Sequence, residues 1–164
     1  MRYDGLLYRA LNPVWAREPL SGEGARRYGG RFNAKGTPAL YNARSIVTAI
    51  REANQIGTLQ PTRLVAYEAQ IERIFDATDP ANLAAAKIDP ATLAADDWRN
   101  RMLVEGRAPT QAMARQLIGE GYAGMQVRSF APGAGSGDLN IVLWRWGAAG
   151  DAILTLVDDE GRLR

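Results

Sequence analysis

The chain contains no cysteine and no histidine, so its fold cannot depend on disulfides, and several classes of active site are excluded. Without cysteine there is no zinc–thiolate site, iron–sulfur cluster or thiol nucleophile. Without histidine there is no Ser-His-Asp or Cys-His mechanism, and the commonest transition-metal ligand is missing. The 164 residues suffice to bury roughly two thirds of the surface of the unfolded chain. We therefore expect a single hydrophobic core, with acid–base chemistry limited to carboxylates, Tyr, Lys or water.

Strand-like segments occupy both ends of the chain, and helical patterns lie between them. Short apolar runs closed by Gly, Pro, Asn or Asp predict strands. These runs cover residues 5–11, 29–33, 39–42, 62–69, 74–76, 124–130, 139–146 and 152–157. Residues 79–108 predict short helices, and Pro109 begins a further helix. We predict one α+β domain over residues 1–164, with a split or curved mixed sheet around a cleft and flanking helices.

A helix is predicted directly after residues 39–42. Ser45 can cap it, and Gly57 is placed to end it. Four apolar residues within it repeat at the spacing of a buried stripe, namely Ile46, Ala49, Ile50 and Ala53. Helical geometry places Glu52 at the edge of this stripe, where its carboxylate could point into a cleft.

The charge pattern favours a small anionic ligand over a nucleic acid. Of the 20 basic residues only Lys35 and Lys87 are lysine, and the net charge is +2. Arginine binds carboxylates and phosphates through its planar fork, although a compositional bias of the source genome explains the count more simply. The basic residues are scattered, so we expect no direct binding to nucleic acid. The residues at the start of the sequence are not typical of a signal peptide, and no apolar stretch reaches membrane-spanning length, so we expect a cytoplasmic protein.

Two other patterns have simple structural interpretations. The loop at residues 132–137 is rich in glycine but lacks the ending of a phosphate-binding loop, so we interpret it as a mobile connection. The acidic pairs at residues 96–97 and 158–159 are interpreted as solvated surface, since adjacent acids point in different directions. No metal is expected.

Arg31, Tyr41 and Glu52 form a more informative set. A cation for phosphate, an aromatic ring for stacking and a half-buried carboxylate are the parts of a nucleotide site. Arg31 follows two glycines that permit close approach of backbone or ligand. The alternative is an exposed glutamate, with the arginine paired to some other acid.

At these residues the chain resembles the RES domain family, named for an Arg, a Glu and a Ser. Residues 29–41, GGRFNAKGTPALY, resemble its GGRWNxxGxPxLY signature, with Phe32 in place of the usual Trp. Glu52 matches the family's helical Glu, and Ser129 its Ser. Residues 7–9 resemble its opening strand, and the stretch after residue 138 resembles its Asn-Leu/Ile-Val-Leu ending.

The resemblance implies the toxin of a bacterial type II toxin–antitoxin system, with a fold similar to ADP-ribosyltransferases and with NAD as its substrate. In that case Arg31 would hold an NAD phosphate or ribose, and Tyr41 would stack on nicotinamide. Glu52 would stabilise the charge that develops on the ribose, and Ser129 would bind the substrate or orient Glu52. The implied partner is a cognate antitoxin with a helix-turn-helix DNA-binding part.

The acceptor of the ADP-ribose stays open. Water or phosphate would make the chain an NAD-depleting enzyme, and a host protein would make it a mono-ADP-ribosyltransferase. Ile50 stands where arginine-specific transferases resemble one another in carrying Gln or Glu, which disfavours an arginine acceptor. Ile56 stands where many family members carry His, which weakens any mechanism that needs a second titratable group. A non-catalytic binding module and, less favoured, a nuclease toxin are the other hypotheses.

Overall fold

One mixed sheet dominates the computed structural model, which describes residues 1–55 and 58–163. Its strands are β1 (Tyr3–Leu11), β2 (Leu40–Ala43), β3 (Arg63–Ile71), β4 (Ile74–Asp76), β5 (Gly124–Arg128), β6 (Leu139–Leu143) and β7 (Ala152–Leu156). Their order across the sheet is β4-β5-β6-β2-β1-β3-β7. Neighbouring strands are antiparallel, except that β4 runs parallel to β5. The chain is thus one α+β domain with a curled mixed sheet, as predicted.

Six α-helices of the described residues flank this sheet. They are α1 (Glu23–Tyr28), α2 (Ile46–Ala53), α3 (Pro80–Ala85), α4 (Pro90–Ala94), α5 (Trp98–Glu105) and α6 (Pro109–Gly119), and a short 3-10 helix spans Pro13–Trp15. Proline begins α3, α4 and α6, where its missing N–H costs no hydrogen bond. None of the helices that the structure describes combines the length and apolar character needed to cross a membrane.

Two hydrophobic clusters lie on opposite faces of the sheet. Alternation along β6 demonstrates this, because Ile141 and Leu143 join one cluster whereas Val142 joins the other. The first cluster includes Leu7 and Tyr67, which are cross-strand partners on β1 and β3. The second cluster lies under α6.

The prediction of a strand at residues 29–33 is wrong. Gly30 N donates to Asn33 O over 2.9 Å, and these residues form a tight turn with one isolated bridge. Gly29 adopts a φ of 73°, a conformation that favours glycine. The turn forms because the Asn33 side chain donates to Ala25 O and Thr37 O, so it draws the chain back on itself.

The predicted buried stripe of α2 is also wrong in most of its members. Ala49 is buried, but Ile46 and Ile50 are 45% and 44% exposed. The face that packs toward the sheet carries Thr48 and Ala49, with Glu52 one turn beyond Thr48. Thr48 donates to Asp138 Oδ1, and Glu52 accepts from Ser129 and Asn140. These polar contacts decide the rotation of this short helix. The predicted end at Gly57 lies outside the described residues, and the helix ends at Ala53.

Candidate active site

Glu52 lies where two cavities meet. The first has a volume of about 420 Å³ and is lined by the Arg31 turn, by Phe130 and by the start of α5. The second has a volume of about 320 Å³ and is lined by Tyr8, Arg9 and the inner face of α2. Tyr41, Glu52, Ala53, Gln55 and Asn140 line both cavities. A ligand with two halves could therefore occupy both cavities, and its middle would then lie beside the Glu52 carboxylate.

Three side chains donate hydrogen bonds to the Glu52 carboxylate. Ser129 Oγ and Asn140 Nδ2 both donate to Oε1, and each donor–acceptor distance is 2.5 Å. Gln55 Nε2 donates to Oε2. Donors of this kind hold a carboxylate in one orientation. Two roles were expected for Ser129, binding of the substrate or orientation of Glu52, and the observed contact is the one to Glu52.

Strand register brings Ser129 and Asn140 to the same carboxylate. On the antiparallel pair β5–β6, Val127 faces Asn140. Ser129 N donates to Asp138 O over 2.8 Å, which continues the ladder by one bond. The hairpin thus brings two donors, with ten residues between them in the sequence, to the same oxygen. The polar end of this hairpin faces α2. Ser45 caps the start of α2, because its Oγ accepts from Thr48 N.

Arg31 reaches the first cavity with part of its guanidinium already engaged. Its Nη1 donates to Leu93 O and Ala95 O, over 3.0 and 3.2 Å, and the guanidinium lies over the Phe130 ring. Its Nη2 is 3.7 Å from an oxygen of the exposed Asp96. Arg31 therefore holds the connection between α4 and α5 against the cleft. A role in phosphate binding stays a prediction, and it would use the Nη2 side of the fork.

Burial lowers the pKa of the Arg31 guanidinium, while the nearby carboxylates of Asp96 and Glu52 raise it. The group keeps its charge, because an ordinary arginine pKa lies far above neutrality. Arg31 and Glu52 both line the first cavity. That this cation and this carboxylate bind a nucleotide together stays a prediction.

The turn that carries Arg31 is held rigidly from two distant elements. Gln111 of α6 is buried, and its Nε2 donates to Gly30 O and Asn33 O, over 2.9 and 3.1 Å. Trp144 Nε1 donates to Phe32 O over 2.7 Å. A β-carbon on Gly30 would collide with the Tyr41 hydroxyl, so this position requires glycine. This preorganisation fixes the position of the Arg31 cation before a ligand binds, so binding does not have to order the turn.

Tyr41 lines both cavities, and its hydroxyl makes hydrogen bonds to the turn that carries Arg31. The hydroxyl donates to Asn33 Oδ1 over 2.6 Å and accepts from Phe32 N over 3.0 Å. Burial raises the pKa of this hydroxyl well above its ordinary value. Tyr41 is therefore a neutral group at physiological pH. Stacking of its ring on nicotinamide stays a prediction.

The structure brings Arg31, Tyr41 and Glu52 to one cavity, and Ser129 joins them through its hydrogen bond to Glu52. Sequence reasoning missed Asn140 and Gln55 as partners of the carboxylate. The family-like ending after residue 138 contained a signal for Asn140, whereas no sequence pattern indicated Gln55. Ile56 lies outside the described residues. Within residues 1–55 and 58–163, no group of three or more acidic side chains is arranged to hold a metal ion.

Comparisons with known proteins agree with this architecture. The chain is similar to a chain in the crystal structure of the M. tuberculosis MbcT–MbcA toxin–antitoxin complex, with a TM-score of 0.66 and 22% sequence identity. That alignment covers 96% of this chain and 85% of the other. No curated protein sequence matches the chain. The model of the RES domain matches residues 6–163. The chain belongs to the RES domain family.

Proposed function

We propose that this protein cleaves the nicotinamide–ribose bond of NAD and acts as the toxin of a type II toxin–antitoxin system. One observation carries the proposal: the Glu52 carboxylate is held between two cavities by Ser129 and Asn140. Membership in the RES domain family supports it. The two cavities have volumes typical of small-ligand sites, and their shared wall suits a dinucleotide.

The reaction fits a site without histidine. When the C1′–N bond of NAD breaks, its electron pair moves to the pyridinium nitrogen, and nicotinamide leaves as a neutral molecule. No general acid is needed to protonate it. The ribose C1′ becomes oxocarbenium-like, and an oriented carboxylate stabilises this positive charge. One preorganised electrostatic contact of this kind is worth about 10²–10³ in rate. A nucleophile then adds at C1′ and releases its proton to solvent.

The acceptor that we propose is water or phosphate, so that the reaction depletes NAD. The alternative is a protein side chain, which would make this chain a mono-ADP-ribosyltransferase. Ile50 lies on the outer face of α2, 44% exposed, and contributes no polar group to the cleft. An arginine acceptor therefore has no support from this position.

The toxin role implies a partner that covers the cleft. The similar fold in the M. tuberculosis MbcT–MbcA structure was determined as a toxin–antitoxin complex. By that analogy we propose a cognate antitoxin for this chain, with a DNA-binding part of its own. The same proposal places the protein in the cytoplasm, where NAD is available.

Nicotinamide release from NAD by the purified chain tests the proposal. The wild type is compared with Glu52→Gln, which keeps the shape but removes the charge. Glu68→Gln is the matched control, since Glu68 is exposed on β3. We expect release by the wild type and by the control, and a loss of about 10²-fold or more in Glu52→Gln.

The acceptor is identified in the same assay. Release in buffer alone indicates water, and faster release with added inorganic phosphate, with a phosphorylated ADP-ribose product, indicates phosphate. Release only with a cell lysate, with label on a protein band, indicates a transferase. No release under any condition would overturn the catalytic proposal and leave a binding module.

A further inference from the structure

Asp138 stands at the end of the glycine-rich loop and reaches across to α2. Its Oδ1 accepts from Thr48 Oγ1 over 2.6 Å, and its Oδ2 is 2.8 Å from Arg51 Nη1. Oδ2 also accepts from Gly135 N over 2.7 Å. These contacts hold the carboxylate of Asp138 in its charged form and place its pKa below the ordinary value, chiefly through Thr48. Asp138 thus joins the loop and the helix.

The two residues that Asp138 contacts on α2 lie beside Glu52. Thr48 is one helical turn before Glu52, and Arg51 is its immediate neighbour. Thr48 is 1% exposed, and its hydroxyl donates to Asp138 while it accepts from Ser45 Oγ over 2.7 Å. A buried hydroxyl between two partners fixes the rotation of the helix. That rotation overrides the apolar pattern of α2 and leaves Ile46 and Ile50 exposed.

Asp138 also fixes the hairpin from which Glu52 receives its hydrogen bonds. Its carbonyl accepts from Ser129 N, and Asn140 follows two residues later. The hairpin and α2 are therefore held together by two reciprocal contacts. Asp138 reaches from the hairpin to the helix, and Glu52 reaches from the helix to the hairpin.

We propose that Asp138 is a positioning residue, which keeps α2 and the β5–β6 hairpin aligned so that Glu52 holds its orientation during the reaction. This rests on the proposed role of Glu52. When substrate competes for the carboxylate, the contact through Glu52 weakens, and the contact through Asp138 maintains the alignment. Errors of about 1 Å at a reacting centre cost about 10²-fold in rate.

The kinetic test compares Asp138→Ala with Asp79→Ala. Asp79 caps the remote helix α3 through Ala81 N, so the control loses the same kind of hydrogen bond elsewhere. We expect kcat to fall between about tenfold and 100-fold in Asp138→Ala, with KM within about twofold. Thr48→Val should behave like Asp138→Ala, and Thr48→Ser should retain activity because it keeps the hydroxyl. Equal kcat in Asp138→Ala and the control would overturn the proposal.

A second readout does not depend on activity. The side-chain amide resonance of Asn140 reports its hydrogen bond to Glu52, and Glu52→Ala provides the shift for the broken bond. We expect Asp138→Ala to move this resonance toward the Glu52→Ala position, and Asp79→Ala to leave it in place. An unmoved resonance in folded Asp138→Ala would refute the positioning role. Absence of NAD cleavage by the wild type would instead refute the proposed function and leave this readout intact.

Discussion

Replacement of Asn140 by alanine tests the part of the site that the sequence motifs did not assign. Among the residues that the structure describes, this side chain makes one hydrogen bond, from Nδ2 to Glu52 Oε1 at 2.5 Å. Its Oδ1 is buried without a partner among the described residues. Asn140→Ala therefore removes a single interaction, and that interaction is with a charged group.

The expected size of the effect follows from this contact. A hydrogen bond to a charged group contributes about 1.5–3 kcal/mol, and each 1.36 kcal/mol in the barrier is worth about tenfold in rate. Because the carboxylate is needed when positive charge develops, we expect kcat to fall by about 10- to 150-fold. Ser129 still donates to the same oxygen, so the loss should be smaller than in Glu52→Gln.

Steady-state nicotinamide release measures this effect, and urea denaturation measures the stability of the same variant. Asn82→Ala is the matched control, since Asn82 Nδ2 donates to Asp76 O, away from the cleft. A kcat within about twofold of wild type in folded Asn140→Ala would refute the reasoning. A rise in KM with unchanged kcat would also refute it, because it would mean that Asn140 binds the substrate and the transition state equally well.

Three further predictions concern the support of the site. Tyr41→Phe leaves the Phe32 N–H and Asn33 Oδ1 without their shared partner, so we expect a loss of about 2–4 kcal/mol in urea denaturation, with kcat/KM within a fewfold because the ring remains. Since the folded-state pKa of Tyr41 is raised, the unfolded chain releases this proton first, and the wild type should lose stability as pH rises above about 10. Tyr41→Phe should show a smaller loss over that range, and an identical pH slope would contradict the assignment. Ser45→Ala removes the cap of α2 and should cost about 1 kcal/mol of stability; an unchanged denaturation midpoint would show that the cap contributes nothing.

Local patterns were sufficient for many elements of the fold. Prolines at helix starts, glycines at turns and short alternating runs predicted strands and helices close to their observed bounds, because each depends on neighbouring residues. The helix after Ser45 began where its capping residue predicted. The turn at residues 29–33 was mistaken for a strand because its cause, the Asn33 side chain, acts on Ala25 and Thr37, whose positions only the folded chain determines.

For the candidate site, too, the sequence identified the residues but not their arrangement. Arg31, Tyr41, Glu52 and Ser129 could be named from the sequence, since residue type and family-like motifs identify them. The arrangement of these residues could not be predicted, because Ser129 and Asn140 contact Glu52 only through the register of β5 with β6. The engagement of Arg31 with Leu93 O and Ala95 O depends likewise on the packing of a distant helix.

The class of fold, the absence of histidine and cysteine chemistry, and the residue types available to the site could all be inferred without coordinates. Those properties follow from composition and from contacts between near neighbours. The tertiary structure decided which face of α2 is buried. Apolar periodicity favoured Ile46 and Ile50, but the hydrogen bonds of Thr48 and Glu52 to the hairpin turned the helix the other way. Buried polar groups must find partners, and the partners of these groups lie 77 to 90 residues away along the chain.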